Sequence, residues 1–237
     1  SKEKMTSLII IPTYNEALNI KEIIKQIINV NPFYHILIID DNSPDHTATI
    51  ARNLKNQNKA KIFLIERKKK LGLASAYISG FKWALNRYYD NIVTMDCDFS
   101  HDPREIPLLI QKLNDFELVI GSRYINGIRI INWPIRRLLL SYCASKYVRI
   151  MLNFPFKDPT GGFNAYSKKV LQSLDLDKIF STGYCFQIEM KFKTYKKHFK
   201  ICEHPIVFHE RRDGQSKMSN NIIFEAIFNV IKMKFLY

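Results

Sequence analysis

Short apolar runs alternate with stretches of helical period through the first half of the chain. Residues 8–11 form a continuous apolar run of the kind a buried parallel strand needs, and Asn15 follows as a candidate cap for a helix whose Ile20, Ile23, Ile24, Ile27 and Ile28 share one face. The pattern then recurs. Residues 36–39 read as a strand, 40–44 as a turn and 45–54 as a short helix; strands at 62–65, 92–95 and 118–120 are separated by a helix over about 74–88 and another after Pro103. This alternation predicts an α/β fold with a doubly wound, mainly parallel sheet and helices on both faces, in which residues of about 6–125 form a nucleotide-binding half.

Beyond Arg123 the pattern changes. Residues 134–152 read as a helix carrying Leu138, Leu139, Tyr142 and Tyr147 among Arg136, Arg137, Lys146 and Arg149, and a second helix is expected over 186–196. No linker, repeat or low-complexity tract separates the halves, so residues 1–237 are expected to form a single domain. The last segment, about 219–237, has Ile222, Ile223, Phe224, Ile227, Phe228, Val230, Ile231 and Phe235 broken by Glu225, Lys232 and Lys234. It suits an amphipathic helix that either lies on a membrane or partner, or closes the core.

Composition narrows the partners without choosing one. The 237 residues hold 36 Lys and Arg against 22 Asp and Glu, a net charge of +14, which favours nucleotides, phospholipid headgroups or nucleic acid. Cys97, Cys143, Cys185 and Cys202 form no C-x-x-C pair, which argues against a zinc site or disulfide scaffold and for reduced thiols in a cytosolic setting. There is no apolar signal core at the amino terminus, and no run reaches the roughly 18 apolar residues of a membrane span. Any membrane contact is expected from the surface.

The densest chemistry is Asp96-Cys97-Asp98, directly after an apolar strand. Two carboxylates at the carboxyl edge of an α/β sheet offer hard oxygen ligands where such folds bind ligands, and Mg²⁺ or Mn²⁺ held this way shares its coordination with substrate phosphates. Other motifs keep order with it. Pro12-Thr13-Tyr14-Asn15-Glu16, Asp40-Asp41-Asn42-Ser43-Pro44-Asp45, Lys70-Leu71-Gly72-Leu73-Ala74-Ser75-Ala76-Tyr77, Asp96-Cys97-Asp98 and Gly121-Ser122-Arg123-Tyr124 stand in the sequence typical of inverting family 2 glycosyltransferases with the GT-A fold, which the chain resembles. Downstream, Asp158-Pro159-Thr160-Gly161-Gly162-Phe163, Gly183-Tyr184-Cys185-Phe186-Gln187-Ile188-Glu189-Met190 and Phe208-x-x-Arg211-x-x-Gly214-x-Ser216-Lys217 are similar to the polyprenyl-phosphate sugar synthases, above all those that make dolichyl-phosphate mannose, over nearly the whole chain. Asn42 and His46 depart from a frequent Gly, and Asn164 from a frequent Arg; Asn tolerates positive φ, so Asn42 can hold its turn.

The resemblance implies transfer of mannose from GDP-mannose to dolichyl or another polyprenyl phosphate, with the 126–218 region as acceptor half. It implies Asp96, Asp98 and Ser100 as ligands of Mg²⁺ or Mn²⁺, and Pro12, Tyr14, Glu16, Ile39, Asp41 and Cys97 as donor-binding residues. Arg123, Arg211 and Lys217 would hold the donor diphosphate; Arg123, Arg137 and Ser141 the acceptor phosphate; Asp98, Arg123 and Arg211 would be catalytic. A phosphate acceptor is anionic at neutral pH and needs no general base, so His101 and His209 are left out of the catalytic set. A peripheral site on the cytosolic face of a membrane, the endoplasmic reticulum in a eukaryote, is expected, with small membrane-spanning partner subunits as the alternative anchor. UDP-sugar donors remain open. A nucleic-acid-binding module would use the charge but lacks a motif, and G-x-G-x-x-G is absent after the first strand, against a dinucleotide oxidoreductase.

Overall fold

The computed structural model describes residues 6–210 and 220–237, the side chains of 220–224 excepted. Strands β1 (Ser7–Thr13), β2 (His35–Asp40), β3 (Ile62–Glu66), β4 (Asn91–Thr94) and β5 (Leu118–Ser122) alternate with helices α1 (Ile20–Val30), α2 (Thr47–Gln57), α3 (Leu73–Leu85) and α4 (Ile106–Lys112). A short β6 (Ile130–Ile131) precedes α5 (Ile135–Leu152), β7 (Asn164–Ser167), α6 (Lys168–Ser173), α7 (Gly183–Lys196), β8 (Ile201–Pro205), β9 (Phe208–His209) and α8 (Asn220–Leu236). Seven strands form one sheet in the order β3-β2-β1-β4-β7-β5-β8, while β6 and β9 pair as a separate parallel ribbon. Only β7 runs against its neighbours, β4 and β5, so the mainly parallel expectation holds. The order reverses direction at β1 and β4, and ligands of open α/β sheets bind outside the carboxyl ends of strands at such a switch point.

Alternate side chains face opposite layers, which is why the strands read as unbroken apolar runs. Leu8, Ile10, Leu37, Ile39 and Ile92 pack with Tyr77 and Phe81 of α3 and Phe186 of α7. Ile9, Ile11, Ile36, Ile38 and Val93 pack with Ile20, Ile23, Ile24 and Ile27 of α1 and with Ile106 and Leu109 of α4. Each such buried side chain contributes roughly 1.5–3 kcal/mol of transfer free energy.

The structure amends several local expectations. Asn15 caps nothing: it has φ 61, and α1 starts four residues later than such a cap requires, behind Asn19. Asn42 has φ 60 and His46 φ 69, so both stand in the left-handed conformation that a Gly would take at least cost. The strands β6 to β9 were not foreseen. Neither description of the last helix is complete, because Val230 and Met233 of α8 are buried against α5 and α7 while Phe228 and Phe235 are 68% and 83% exposed. The Tyr237 hydroxyl donates to Glu189 Oε1 at 2.7 Å, fastening the end of the chain to α7. Among the described residues no helix is long and apolar enough to cross a membrane.

Gly121 tests the sheet at its most crowded point. A Cβ there would lie 2.5 Å from the Phe163 carbonyl oxygen, a backbone atom that cannot swing aside. Gly121→Ala is expected to destabilise the fold by about 1–3 kcal/mol, lowering Tm by several degrees in thermal unfolding; an unchanged Tm would contradict this packing.

Candidate active site

The end of β4 is tied to its surroundings before the carboxylates emerge. Thr94 Oγ1 donates to the Gly162 carbonyl at 2.8 Å, and the Asp96 N–H donates to His101 Nδ1 at 3.1 Å. His101 is 2% exposed and stacks on Phe163, and burial lowers its pKa. An acceptor Nδ1 means a neutral ring protonated at Nε2, which shapes the Asp96–His101 turn. Phe99 takes φ 63, a strained conformation of the sort that collects at functional sites. Asp98 is 6% exposed, whereas the Asp96 side chain remains 34% exposed.

Ser100 is 1% exposed and donates both its N–H, at 3.1 Å, and its hydroxyl, at 2.5 Å, to Asp98 Oδ1. It therefore orients the Asp98 carboxylate, while its oxygen keeps lone pairs of its own. The donor set left by Asp96 and Asp98 fits Mg²⁺ or Mn²⁺: both are hard oxygen ligands, and no group of three or more His, Cys, Asp and Glu stands ready among the described residues. Such a pair suits an ion that completes its shell with water and substrate phosphates.

On the adjoining edge, acidic side chains serve the loops. Asp40 accepts from Thr13 Oγ1, Ser43 Oγ and the Ser43 N–H at 2.7–2.9 Å. Asp45 accepts from the Ala17 N–H and from Thr47, and these bonds outweigh burial to lower its pKa. Asp41 accepts from the Leu71 and Gly72 N–H groups at 2.9 and 2.8 Å and pairs with Arg67 at 3.1 Å. It thus clamps the 70–72 loop to β2. Lys70 lies 3.6 Å from the Tyr14 ring centroid, Glu16 Oε2 accepts from Asn19, and Pro12, Tyr14 and Glu16 are all half-buried at the same edge.

Two residues expected at the donor turn their side chains into the core. Ile39 is 0% exposed beneath α3, and Cys97 is 2% exposed among the apolar side chains of the α1 layer, so neither side chain can reach a ligand without the core opening. Burial, chiefly, also raises the Cys97 thiol well above its usual range. Both belong to the apolar support of the site.

Arg123 follows β5 with its side chain 8% exposed, and its Nε and Nη2 donate to Asp158 Oδ2 and Oδ1 at 2.8 and 2.7 Å. Nη2 also reaches Thr160 Oγ1 at 2.7 Å. Burial opposes both charges, yet the pairing wins, leaving Asp158 below and Arg123 above their usual pKa values. Beneath this pair the buried Lys191 Nζ donates to the carbonyls of Asp158, Pro159 and Gly161 at 3.2, 3.1 and 2.6 Å. Burial pushes Lys191 down to about 7, but three acceptors match the three donors of the ammonium form. Arg137 lies 4.0 Å from the Trp133 ring and pairs with Glu210 at 3.4 Å, and the Ser141 hydroxyl meets the Tyr124 hydroxyl at 2.7 Å. Arg211 and Lys217 lie outside the described residues.

Residues 8–175 match the sequence profile of glycosyl transferase family 2. The chain belongs to that family. This glycosyltransferase is 42% identical over 94% of its length to a polyprenol monophosphomannose synthase of Mycolicibacterium smegmatis, 85% of which is covered. It is 41% identical over 96% of its length to an undecaprenyl-phosphate mannosyltransferase of Micrococcus luteus, 93% of which is covered. A dolichol-phosphate mannosyltransferase of Pyrococcus furiosus is 38% identical over 95% of the chain, which spans 62% of that longer relative. In fold it resembles glucosyl-3-phosphoglycerate synthase of Mycobacterium tuberculosis, solved with Mn²⁺, UDP and glucosyl-3-phosphoglycerate, at a TM-score of 0.68 and 18% identity over 97% of this chain and 78% of that one. The GT-A fold is thereby shown.

The support of this glycosyltransferase's site includes residues whose part was not read from sequence. Asp158, Thr160 and Lys191 fasten the loop under Arg123, and Trp133 stacks on Arg137. The Asp158-Pro159-Thr160-Gly161-Gly162 motif marked the loop without its partner; nothing in the helical pattern marked Lys191. Asp158→Asn, which strips the buried guanidinium of its counter-charge, is expected to cost about 3–5 kcal/mol in denaturant unfolding. A loss below about 1 kcal/mol would show that the pair is not what holds this loop.

Proposed function

We propose that the protein transfers mannose from GDP-mannose to the phosphate of a polyprenol, such as dolichyl phosphate, with inversion at the sugar. The observation that carries this reading is the paired Asp96 and Asp98 at the β4 edge, in a chain 42% identical to a polyprenol monophosphomannose synthase across 94% of its length. An acceptor phosphate oxygen bonds to the anomeric carbon as the bond to the diphosphate breaks, its electron pair leaving with GDP. The phosphate monoester supplies its own negative charge, so no residue has to remove a proton. The buried, neutral His101 accords with this, being engaged at Nδ1 by the Asp96 N–H.

Asp96 and Asp98 would hold Mg²⁺ or Mn²⁺, which when bound neutralises the diphosphate leaving group. Ser100 keeps Asp98 oriented, and Asp41 holds the 70–72 loop that borders the nucleoside side. Pro12, Tyr14 and Glu16 line that side. Arg123, held in direction by Asp158, would meet the reacting phosphates, a role the motif also gives to Arg211 and Lys217, and Arg137 and Ser141 would serve the acceptor. We place the enzyme at the cytosolic face of a membrane, touching it with the exposed Ile135, Leu139 and Ile150 of α5 and Phe228 and Phe235 of α8.

A transfer assay offering GDP-mannose, UDP-glucose and UDP-N-acetylglucosamine to a short polyprenyl phosphate, with and without Mg²⁺ or Mn²⁺, tests the reading. Metal-dependent mannosyl transfer is expected, and preference for either UDP-sugar would overturn the donor. Asp98→Asn should reduce turnover about a hundredfold or more while the unfolding midpoint stays near that of the parent. Turnover within a few-fold of the parent at limiting metal would remove Asp98 from the metal site.

A further inference from the structure

A second cluster of positive charge lies one to two turns along α5 from Ser141. Tyr124, Tyr142, Ser145, Lys146, Arg149 and Lys157 line a cavity of about 270 Å³. A wider hollow of about 450 Å³ continues from it and shares Lys146 and Arg149. The cavity has unmet hydrogen-bond donors. Ser145 is 2% exposed and its Oγ has no hydrogen-bond partner among the described residues, and neither has the buried Arg149 Nε. Among the described residues no carboxylate pairs with Lys146, Arg149 or Lys157; the nearby Glu203 accepts the backbone N–H groups of Lys157 and Asp158 instead.

Buried donors left unpaired carry a penalty that a matching acceptor removes, and three cations around them choose an anion. The cavity has room for a phosphate group. We propose that it is a second phosphate-group site, distinct from the reacting phosphates at Arg123 and Arg137. Two sources share that chemistry: free inorganic phosphate and the phosphodiester headgroup of an anionic lipid.

Tyr124 stands where the cavity adjoins the site, with Arg123 5.2 Å from its ring centroid, Tyr142 packed edge-on at 5.7 Å and its own hydroxyl 2.7 Å from that of Ser141. The proposal does not depend on which sugar is transferred.

The test compares Lys146→Gln/Lys157→Gln with Lys21→Gln/Lys25→Gln, which removes the same charge from α1; all four lysines are exposed, so both variants should fold. One arm measures the rise in Tm with inorganic phosphate. The other measures flotation with phosphatidylcholine vesicles with and without phosphatidylglycerol, and Arg149→Lys is carried through both to test the guanidinium fork. Loss of at least about fivefold in anionic-vesicle affinity in the cavity variant alone assigns the site to a lipid headgroup. Loss of the phosphate-dependent Tm rise alone, with flotation unchanged, assigns it to free phosphate. Equal behaviour of the two double variants in both arms overturns the site. So does a parallel loss of kcat/KM for short polyprenyl phosphate, because the cavity would then be part of the acceptor site. Absence of transfer by the unmodified protein would count against the mannosyltransferase reading and leave both binding arms readable.

Discussion

The Arg123 to Asp158 ion pair is where the sheet, the loops and the site meet. Removing two charges from water costs several kcal/mol per ion, so a pair this deeply buried is stable only when nearly every donor and acceptor is filled. Here Asp158 accepts from the Arg123 backbone N–H, from both arms of the guanidinium and from the Gly161 N–H. Glu203 of β8 accepts the Asp158 N–H, and Lys191 of α7 gathers the loop carbonyls. The loop so anchored delivers Gly162 to Thr94 and Phe163 to Gly121 and His101, and His101 in turn holds Asp96. The Asp96–Asp98 carboxylates and the Arg123 guanidinium are thus set by one network.

That network also explains what the sequence disclosed. The β/α units up to β5 were legible because parallel strands covered on both faces are nearly unbroken apolar runs, and the loop motifs stand at their carboxyl ends. The return strand β7, Asn164–Ser167, has no such run; it is recognisable only by its place between β4 and β5. Helix α7 was legible as an element, expected over 186–196 and found at Gly183–Lys196, but not the inward direction of its polar side chains. Residues 185–194 are all buried, so Gln187, Glu189 and Lys191 point inward at polar partners and no solvent face exists to set the period. Site residues that meet a ligand class, such as Asp96 and Asp98, show themselves by type and position. Their supports depend on contacts between distant segments, as Asp158 and Lys191 show by fastening Arg123 and its loop across some thirty residues.

Charges of both signs meet at the edge that carries Asp40, Asp41 and Asp45. These carboxylates are satisfied by loop hydroxyls and N–H groups and by Arg67, so they stiffen the edge rather than repel a diphosphate outright. Positive charge gathers in two places: Arg67, Lys68, Lys69 and Lys70 stand on and before the loop that Asp41 clamps, and on α5 Arg136, Arg137, Lys146 and Arg149 have no acidic residue of the same helix to offset them.

Helix α5 combines two kinds of surface. Residues Arg137 and Ser141 lie within two turns of the start of α5, where Trp133 and Tyr124 hold them, whereas Ile135, Leu139 and Ile150 project outward by 57–71%. A lipid phosphate is amphiphilic: its head must be desolvated among cations while its chain stays in hydrocarbon. In the proposed reading, a helix that presents Arg137 and Ser141 on one side and apolar residues on another meets both requirements, each lysine or arginine near an anionic surface adding about 1 kcal/mol. Packing of α8 against α5 through Val230 and Met233 makes this helix part of the core's own architecture, so its exposed surface and the fold depend on the same buried contacts.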